Sequence, residues 1–234
     1  MQLSQSLKQK GRLAALGGGV SKISHDLRNI LTTTQLLADR MELSDDPDVK
    51  KNAPKLVTSL SRAVNLCEST LSFGKAEETA PNMTRFAMRP LLAEVVDGEK
   101  LAVGDADVRI SSKVEHPVSM TADREQLYRI VSNIVRNARQ VLSAHNQKGE
   151  ILVTGTETPD TWTIAIADNG PGLPKKAADN LFTPFEGGAR KGGSGLGLAI
   201  SAELVKGHGG KLELTSTGPE GSTFLITLPK DVVK

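Results

Sequence analysis

The stretch SHDLRNIL, residues 24–31, lies in the middle of a regular apolar pattern that determines how the first part of the chain folds. Apolar or small residues recur in alternating steps of three and four, which is the spacing of a heptad seam on one helix. The members of the seam are Leu13, Leu16, Val20, Ile23, Leu27, Ile30, Thr34, Leu37 and Met41. The pattern predicts one long helix over residues 1–42 that packs against other helices.

The same heptad directs His25 away from the seam and toward solvent. An exposed imidazole is a suitable nucleophile, because histidine titrates near neutral pH and part of it is unprotonated. Asp26 could orient or deprotonate the ring, and Asn29 lies one helical turn further on. An ordinary exposed histidine with charged neighbours explains these residues equally well. The stretch alone therefore does not decide the function.

A second helix follows a turn. Residues 43–52 include SDDP, which has turn composition, and a new apolar repeat starts at about Ala53. Two helices joined by a short loop leave a long apolar stripe, which dimerisation into a four-helix bundle would bury. Gly74 and the polar residues 75–82 end the second helix and suit a linker.

Bulk composition excludes several classes of protein. The 234 residues suit one large or two modest domains, and the formal net charge is +2. Basic residues are spread along the chain, so neither nucleic acid nor a lipid surface is indicated as a partner. The single cysteine, Cys67, cannot form an intramolecular disulfide, and no apolar run approaches the roughly 20 residues of a membrane helix. We expect a soluble chain in a reducing compartment.

From Met83 onward the period changes to that of short strands and helices. Strands are predicted at 85–88, 108–114, 151–157, 162–167, 211–216 and 223–228, and helices at 90–101, 123–142 and 196–206. Mixed strands with helices grouped beside them predict a two-layer α/β sandwich whose helices lie on one face of the sheet.

Two motifs in this second part suit nucleotide chemistry. Asn133 and Asn137 lie four residues apart on one helix face, and amide oxygens are suitable ligands for Mg²⁺ that phosphates already neutralise. Asp168 ends a strand before Asn169-Gly170-Pro171-Gly172; its carboxylate can accept a hydrogen bond from an amine such as that of adenine. A solvated polar pair and a plain Asp-Asn-Gly turn are the competing interpretations.

Two further motifs suit phosphates. The glycine-rich run GGSGLGL, residues 192–198, leads into a helix whose N-terminus attracts anions. It lacks the ending of a P-loop and the setting of a dinucleotide fold. Leu181–Phe185 holds two of the five phenylalanines and anchors a loop with Arg190 and Lys191, which suits a lid.

In order and spacing, these motifs together resemble the catalytic core of the sensor histidine protein kinases of two-component systems. The similar segments are Ser24–Leu31 (phosphoacceptor box), Asn133–Ala138 (N box), Asp168–Gly172 (G1 box), Leu181–Phe185 (F box), Gly193–Gly197 (G2 box), His208–Gly210 and Gly221–Phe224. The resemblance covers almost the whole chain.

The resemblance implies a multi-domain protein. Residues 1–78 would form the all-α dimerisation and histidine-phosphotransfer hairpin, and 79–83 a linker. Residues 84–234 would form an α/β two-layer sandwich, the Bergerat or GHKL ATP-binding fold shared with gyrase B, Hsp90 and MutL.

The resemblance also implies roles for single residues. His25 would attack the γ-phosphate of ATP with Asp26 as base, Asn133 and Asn137 would hold Mg²⁺, and Asp168 would bind adenine. The pocket and its lid would further include Gly170, Gly172, Phe182, Arg190, Lys191, Gly193, Gly195, Leu196 and Gly197.

The activity implied is that of a bacterial, cytoplasmic, homodimeric kinase. It would autophosphorylate His25 and pass the phosphoryl group to an aspartate of a response-regulator receiver domain. Asp26 and Asn29 also match the pattern that the family uses to dephosphorylate its regulator. Any sensor or membrane region would lie outside this chain.

The sequence departs from the family after the N box, where Gln140-Val141 replaces the usual lysine and aromatic residue. Phosphate contacts would then fall to Arg136, Arg139, Arg190 or Lys191.

Two alternatives to a histidine kinase remain open. A standalone ATPase carries a glutamate base where Asn133 stands, and an amide is not a useful general base. The other alternative is a phosphatase-biased protein or a scaffold with a degenerate nucleotide site.

Overall fold

The computed structural model describes residues 34, 41, 44–50, 52–54, 56–57, 60, 80–104, 106–144, 148–184 and 195–231. The chain divides into two compact units, one of residues 79–188 and 197–234 and the other of residues 1–78 and 189–196. Within the described residues, no helix has both the length and the hydrophobicity needed to cross a membrane.

In the smaller unit, the predicted turn at 43–52 is too long. Residues 47–50 are already helical, as are 52–54, so a helix begins at Pro47 rather than near Ala53. The Asp46 carboxylate accepts hydrogen bonds from the backbone N–H groups of Asp48 (2.9 Å) and Val49 (3.3 Å). Asp46 therefore caps this helix, and proline is well tolerated at the first helical position because its missing N–H would have no partner there.

The predicted seam and the residues around His25 are largely outside the described part of the chain. Of the seam, Thr34 and Met41 are described, and both are helical. His25, Asp26, Asn29 and Cys67 lie outside the described residues, so the helical hairpin and its dimerisation stay predictions.

The larger unit contains seven strands and four helices within its described residues. They are β1 (Thr84–Ala87), α1 (Met88–Leu101), β2 (Val108–Val114), β3 (Ser119–Ala122), α2 (Arg124–Ser143), β4 (Gly149–Glu157), β5 (Thr161–Asp168), α3 (Lys175–Asp179), α4 (Gly197–Gly207), β6 (Lys211–Gly218) and β7 (Gly221–Pro229). The predicted elements are confirmed with small shifts at their ends. Only β3 and α3, of four and five residues, have no predicted counterpart.

Five strands form one sheet in the order β2-β4-β5-β7-β6, in which β2 and β4 are parallel and the other pairs antiparallel. Strands β1 and β3 form a separate antiparallel pair. Along β5, Trp162, Ile164 and Ile166 are buried and alternate with half-buried residues. Helices α1, α2 and α4 pack against the sheet. This is the two-layer α/β sandwich that the sequence predicts.

Asp123 fixes the start of α2. Its carboxylate accepts hydrogen bonds from the N–H groups of Glu125 (3.1 Å) and Gln126 (3.0 Å), and also from Asn82 (2.9 Å) at the beginning of this unit. The backbone N–H of Asp123 donates to Nε2 of the buried His208 (3.0 Å). The first four backbone N–H groups of a helix have no partner within the helix, and the Asp123 side chain accepts from two of them here.

His208 joins the end of α4 to this cap. Because its Nε2 accepts from Asp123, its Nδ1 carries the proton and donates to the carbonyl oxygen of Leu204 (2.8 Å). The start of α2 therefore lies against the end of α4, and the two helices run antiparallel.

Glu99 joins α1 to the opposite flank of α2. Its side chain is 8% exposed and accepts hydrogen bonds from Ser132 Oγ (3.2 Å), Arg136 Nε (3.3 Å) and Arg139 Nε (2.9 Å). Arg139 also donates to the carbonyl oxygen of Ala102 (2.8 Å). A buried carboxylate is tolerated when it is paired and hydrogen-bonded in this way.

Replacing Glu99→Ala should lower the free energy of unfolding by about 3 kcal/mol, because it leaves the largely buried Arg139 without a counter-charge. Urea denaturation would measure the loss. The matched control is Glu94→Ala on the same helix, which removes an exposed ion pair with Arg124 and should cost less than about 1 kcal/mol. Equal losses in the two variants would contradict a stabilising role for the buried cluster.

Candidate functional site

Asn133 lies where α2 meets the first turn of α4. Its Nδ2 lies 3.5 Å from the carbonyl oxygen of Gly197 and 3.4 Å from the hydroxyl oxygen of Ser201. Ser201 is fully buried, and its hydroxyl donates to the Gly197 carbonyl at 2.9 Å. The side chain of Asn133 is thus attached to the beginning of the helix that follows the glycine-rich run.

Asn137 lies one turn further along the same face of α2. It is half-buried, and its side-chain amide forms no hydrogen bond to the described part of the chain. Both of its polar atoms can therefore contact a ligand, and its oxygen is of the type that Mg²⁺ accepts.

Asp168 ends β5 on the side of the sheet that faces the helices, since it continues the alternation of Ile164 and Ile166. One carboxylate oxygen, Oδ1, accepts a hydrogen bond from the N–H of Gly170 at 2.9 Å. Its cross-strand partner on β7 is the buried Ser222. The sequence does not identify Ser222 as part of the site. Its place opposite Asp168 results from the pairing of β5 with β7.

The loop after Asp168 fits closely against the turn between β6 and β7. Gly172 has a φ of +71°, and a Cβ there would collide with the carbonyl oxygen of Gly218. A Cβ at Gly221 would collide with the carbonyl oxygen of Asp168 itself. The N–H of Leu173 donates to Thr217 Oγ1 at 2.8 Å. Glycine is required at these positions, and together they hold the loop in one conformation.

The other end of the same loop approaches α2. A Cβ at Gly170 would lie 2.8 Å from Asp168 Oδ1 and 3.5 Å from side-chain carbons of Val141 and Leu142. The loop of Asp168 therefore lies beside the last turns of α2, and Asn133 and Asn137 lie on the preceding turns. The structure brings the predicted amide pair and the predicted carboxylate to one region.

The predicted lid is described only at its two ends. Leu181 is buried and Phe182 half-buried in a turn, and Gly195, with a φ of +67°, precedes the buried Leu196. Arg190, Lys191 and Gly193 lie outside the described residues. Their roles stay predictions.

Two arginines predicted as phosphate contacts have structural partners. Arg139 is 15% exposed, and it donates hydrogen bonds from its Nε to Glu99 and from one terminal nitrogen to the carbonyl oxygen of Ala102. Arg136 is half exposed and also donates to Glu99. Both face α1, because their spacing from Ser132 puts them on that flank of α2 rather than on the flank of Asn133.

Arg129 lies one turn before Asn133 and makes no ion pair or hydrogen bond with the described part of the chain. Burial lowers the pKa of its guanidinium. The guanidinium nevertheless stays protonated. Arg129 is therefore a cation four residues before Asn133 on α2, and no described carboxylate neutralises it.

Residues 122–232 match the family described as histidine kinase-, DNA gyrase B-, and HSP90-like ATPase. The match covers 111 of the 234 residues, and the name ATPase domain is used for this matched region. The ATPase domain thus spans α2, the sheet from β4 onward and α4, and it contains every described residue that the sequence assigned to nucleotide binding.

Similarity to curated proteins extends beyond the ATPase domain. The chain is 29% identical to the C4-dicarboxylate transport sensor protein DctB of Rhizobium meliloti, over 97% of this chain and 37% of DctB. It is also 29% identical to the sensory histidine kinase/phosphatase NtrB of Vibrio alginolyticus, over 97% of this chain and 66% of NtrB. The chain thus spans little more than a third of DctB. The similarity to these sensor proteins confirms the resemblance to sensor histidine kinases that the motifs indicate.

Solved structures show the same fold. Full-length ShkA in complex with AMPPNP superposes with a TM-score of 0.74 at 23% identity, covering 91% of this chain and 45% of ShkA. The histidine kinase ThkA in complex with the response regulator TrrA gives a TM-score of 0.67 at 24% identity, covering 98% of this chain and 66% of ThkA.

The donor set of the ATPase domain fits ATP and Mg²⁺. Amide oxygens of Asn133 and Asn137 are neutral hard ligands, which suit a cation whose charge is met mainly by phosphates. The carboxylate of Asp168, held by the Gly170 N–H, can accept a hydrogen bond from an exocyclic amine.

Replacing Gly172→Ala should lower the free energy of unfolding by about 2–4 kcal/mol, since it combines a left-handed backbone with a collision. Gly104→Ala is the matched control, because Gly104 has a φ of +62° and open space around it. It should cost about 1 kcal/mol. Thermal or urea unfolding would compare the two, and equal costs would contradict tight packing of the Asp168 loop on Gly218.

Proposed function

We propose that this chain is the catalytic core of a sensor histidine kinase, which binds Mg²⁺-ATP in its ATPase domain and phosphorylates its own His25. The observation that supports this most is the convergence of Asn133, Asn137 and the Asp168–Gly170 turn along one side of α2. Similarity to sensor proteins over 97% of the chain extends the support to the segment that contains His25.

In this proposal the ATPase domain orients the nucleotide at both ends. Asp168 accepts the amine of adenine, and Asn133 and Asn137 direct amide oxygens at the metal. Bound Mg²⁺-ATP supplies the phosphoryl group, and the metal partly neutralises the negative charge of the phosphates. The phosphates bind at the start of α4, beside Gly195, Leu196 and Gly197, where a helix N-terminus attracts anions.

His25 acts as the nucleophile. One imidazole nitrogen attacks the γ-phosphorus, so a nitrogen–phosphorus bond forms, the bond to the bridging oxygen breaks and ADP leaves. Asp26 takes the proton that the ring loses. Arg190 and Lys191, with Phe182 at the anchor of the lid and Gly193 within it, close over the phosphates.

The amide at Asn133 favours transfer of the γ-phosphoryl group to a protein over hydrolysis of ATP. An amide cannot take a proton from water, so the ATPase domain has no general base at this position. Without such a base, the imidazole of His25 is the better acceptor. This observation separates the proposal from a standalone ATPase.

The remaining parts of the proposal concern the whole protein. Residues 1–78 form a dimeric hairpin, 79–83 a linker and 84–234 the ATP-binding domain. The partner is a response-regulator receiver domain, whose aspartate receives the phosphoryl group from His25; ThkA, a similar structure, was solved with such a regulator. Asn29, with Asp26, orients water when the regulator is dephosphorylated, and NtrB is named as both kinase and phosphatase.

The decisive experiment is autophosphorylation with γ-labelled ATP and Mg²⁺. The full chain should acquire label that is stable to alkali and labile to acid, as a phosphoramidate is, and His25→Gln should acquire none. The control is His116→Gln, which changes an exposed histidine of the other unit and should label normally. Label that persists in His25→Gln would contradict the assignment. ATP binding without label would favour the phosphatase-biased alternative.

Asp168→Asn should weaken ATP binding about tenfold or more, because a charged acceptor for the adenine amine becomes a neutral one and the Gly170 N–H loses its anionic partner. Equilibrium binding of a fluorescent ATP analogue would measure it. Asp160→Asn, at the exposed turn between β4 and β5, is the control and should bind as the unmodified chain does. Unchanged binding in Asp168→Asn would rule out its proposed role.

A further inference from the structure

Ser201 is a buried polar residue on the apolar side of α4. Its hydroxyl carries a single proton, and that proton is donated to the carbonyl oxygen of Gly197 at 2.9 Å. Toward Asn133, 3.4 Å away, the hydroxyl oxygen can then only accept. The carbonyl oxygen of Gly197, at 3.5 Å from the same amide, is also an acceptor.

These two acceptors determine which way the Asn133 amide faces. An asparagine side chain has a donor end and an acceptor end that are equal in size, so shape alone does not distinguish its two orientations. Both groups of α4 that face the amide require its NH₂ end. The carbonyl end, Oδ1, is therefore directed away from Gly197 and Ser201.

We propose that Ser201 is a positioning residue that holds the Asn133 amide with Oδ1 presented to the metal of bound Mg²⁺-ATP. The inference rests on the proposed function, since it assumes that Asn133 is a metal ligand. Without the Ser201 hydroxyl, the amide keeps only one long contact, to Gly197. Rotation about its last torsion then brings NH₂ toward the cation in part of the molecules, and NH₂ cannot ligate a metal.

Asn137 does not have such a constraint, because its amide makes no hydrogen bond to the described residues. The two amides therefore differ: Asn133 is oriented before any ligand arrives, whereas Asn137 can rotate to meet it. The effect of Ser201 should accordingly be confined to the metal-dependent part of nucleotide binding.

The test measures binding of a fluorescent ATP analogue to the full chain in Mg²⁺ and in EDTA. The ratio of the two affinities is the enhancement by the metal. Ser201→Ala should reduce this enhancement about fivefold, the loss of one ordinary hydrogen bond, and change affinity in EDTA less than about twofold. The control is Ser132→Ala, which removes a buried hydroxyl from the α1 flank of α2 and should leave the enhancement unchanged.

A double-mutant comparison separates positioning from general damage to the fold. In an Asn133→Ala chain, adding Ser201→Ala should not lower the enhancement further, because the amide to be oriented is gone. An equal loss in both backgrounds would overturn the inference, as would a normal enhancement in Ser201→Ala. Failure of His25 to take label would contradict the proposed phosphotransfer alone, whereas absence of any enhancement in the unmodified chain would overturn this inference.

Discussion

The position of α2 depends on polar contacts at three places. Asp123 caps its start and, through His208, ties it to the end of α4. Glu99 attaches one flank to α1, and the Asn133 amide attaches the other to the first turn of α4. Apolar burial against the sheet contributes most of the free energy, but it is non-directional and would tolerate rotation of the helix. The directional bonds determine which residues face which neighbour.

This arrangement places the amides of α2 and two of its arginines on different flanks. Residues three and four apart share a flank, so Ser132, Arg136 and Arg139 all face Glu99. Asn133 and Asn137 face the other way. Arg136 and Arg139 compensate a buried carboxylate and stabilise the fold, whereas the flank of Asn133 carries the two neutral amides and Arg129. The two arginines that pair with Glu99 and the two amides thus occupy different flanks of one helix.

Most of the fold of the larger unit could be predicted from the sequence, because its strands alternate cleanly and its helices carry wide apolar stripes. The missing elements, β3 and α3, are too short to show a period. The helix of the smaller unit that starts at Pro47 is harder to predict, because SDDP has turn composition and Asp before Pro is also a helix-start signal.

The site was predictable as a set of motifs but not as a set of contacts. Glu99 shares the buried stripe of Leu92, Val95 and Val96, so a buried carboxylate was detectable, but nothing in the pattern identified its partners. Ser201 likewise stands four residues after Gly197 on an apolar helix. From this spacing one can predict that the Ser201 hydroxyl donates a hydrogen bond to the carbonyl oxygen of Gly197 in the preceding turn. That it also faces Asn133, 68 positions away in sequence, depends on how α2 and α4 pack. The orientation of the Asn133 amide is therefore a property of the tertiary structure, even where the amide itself is evident from the sequence.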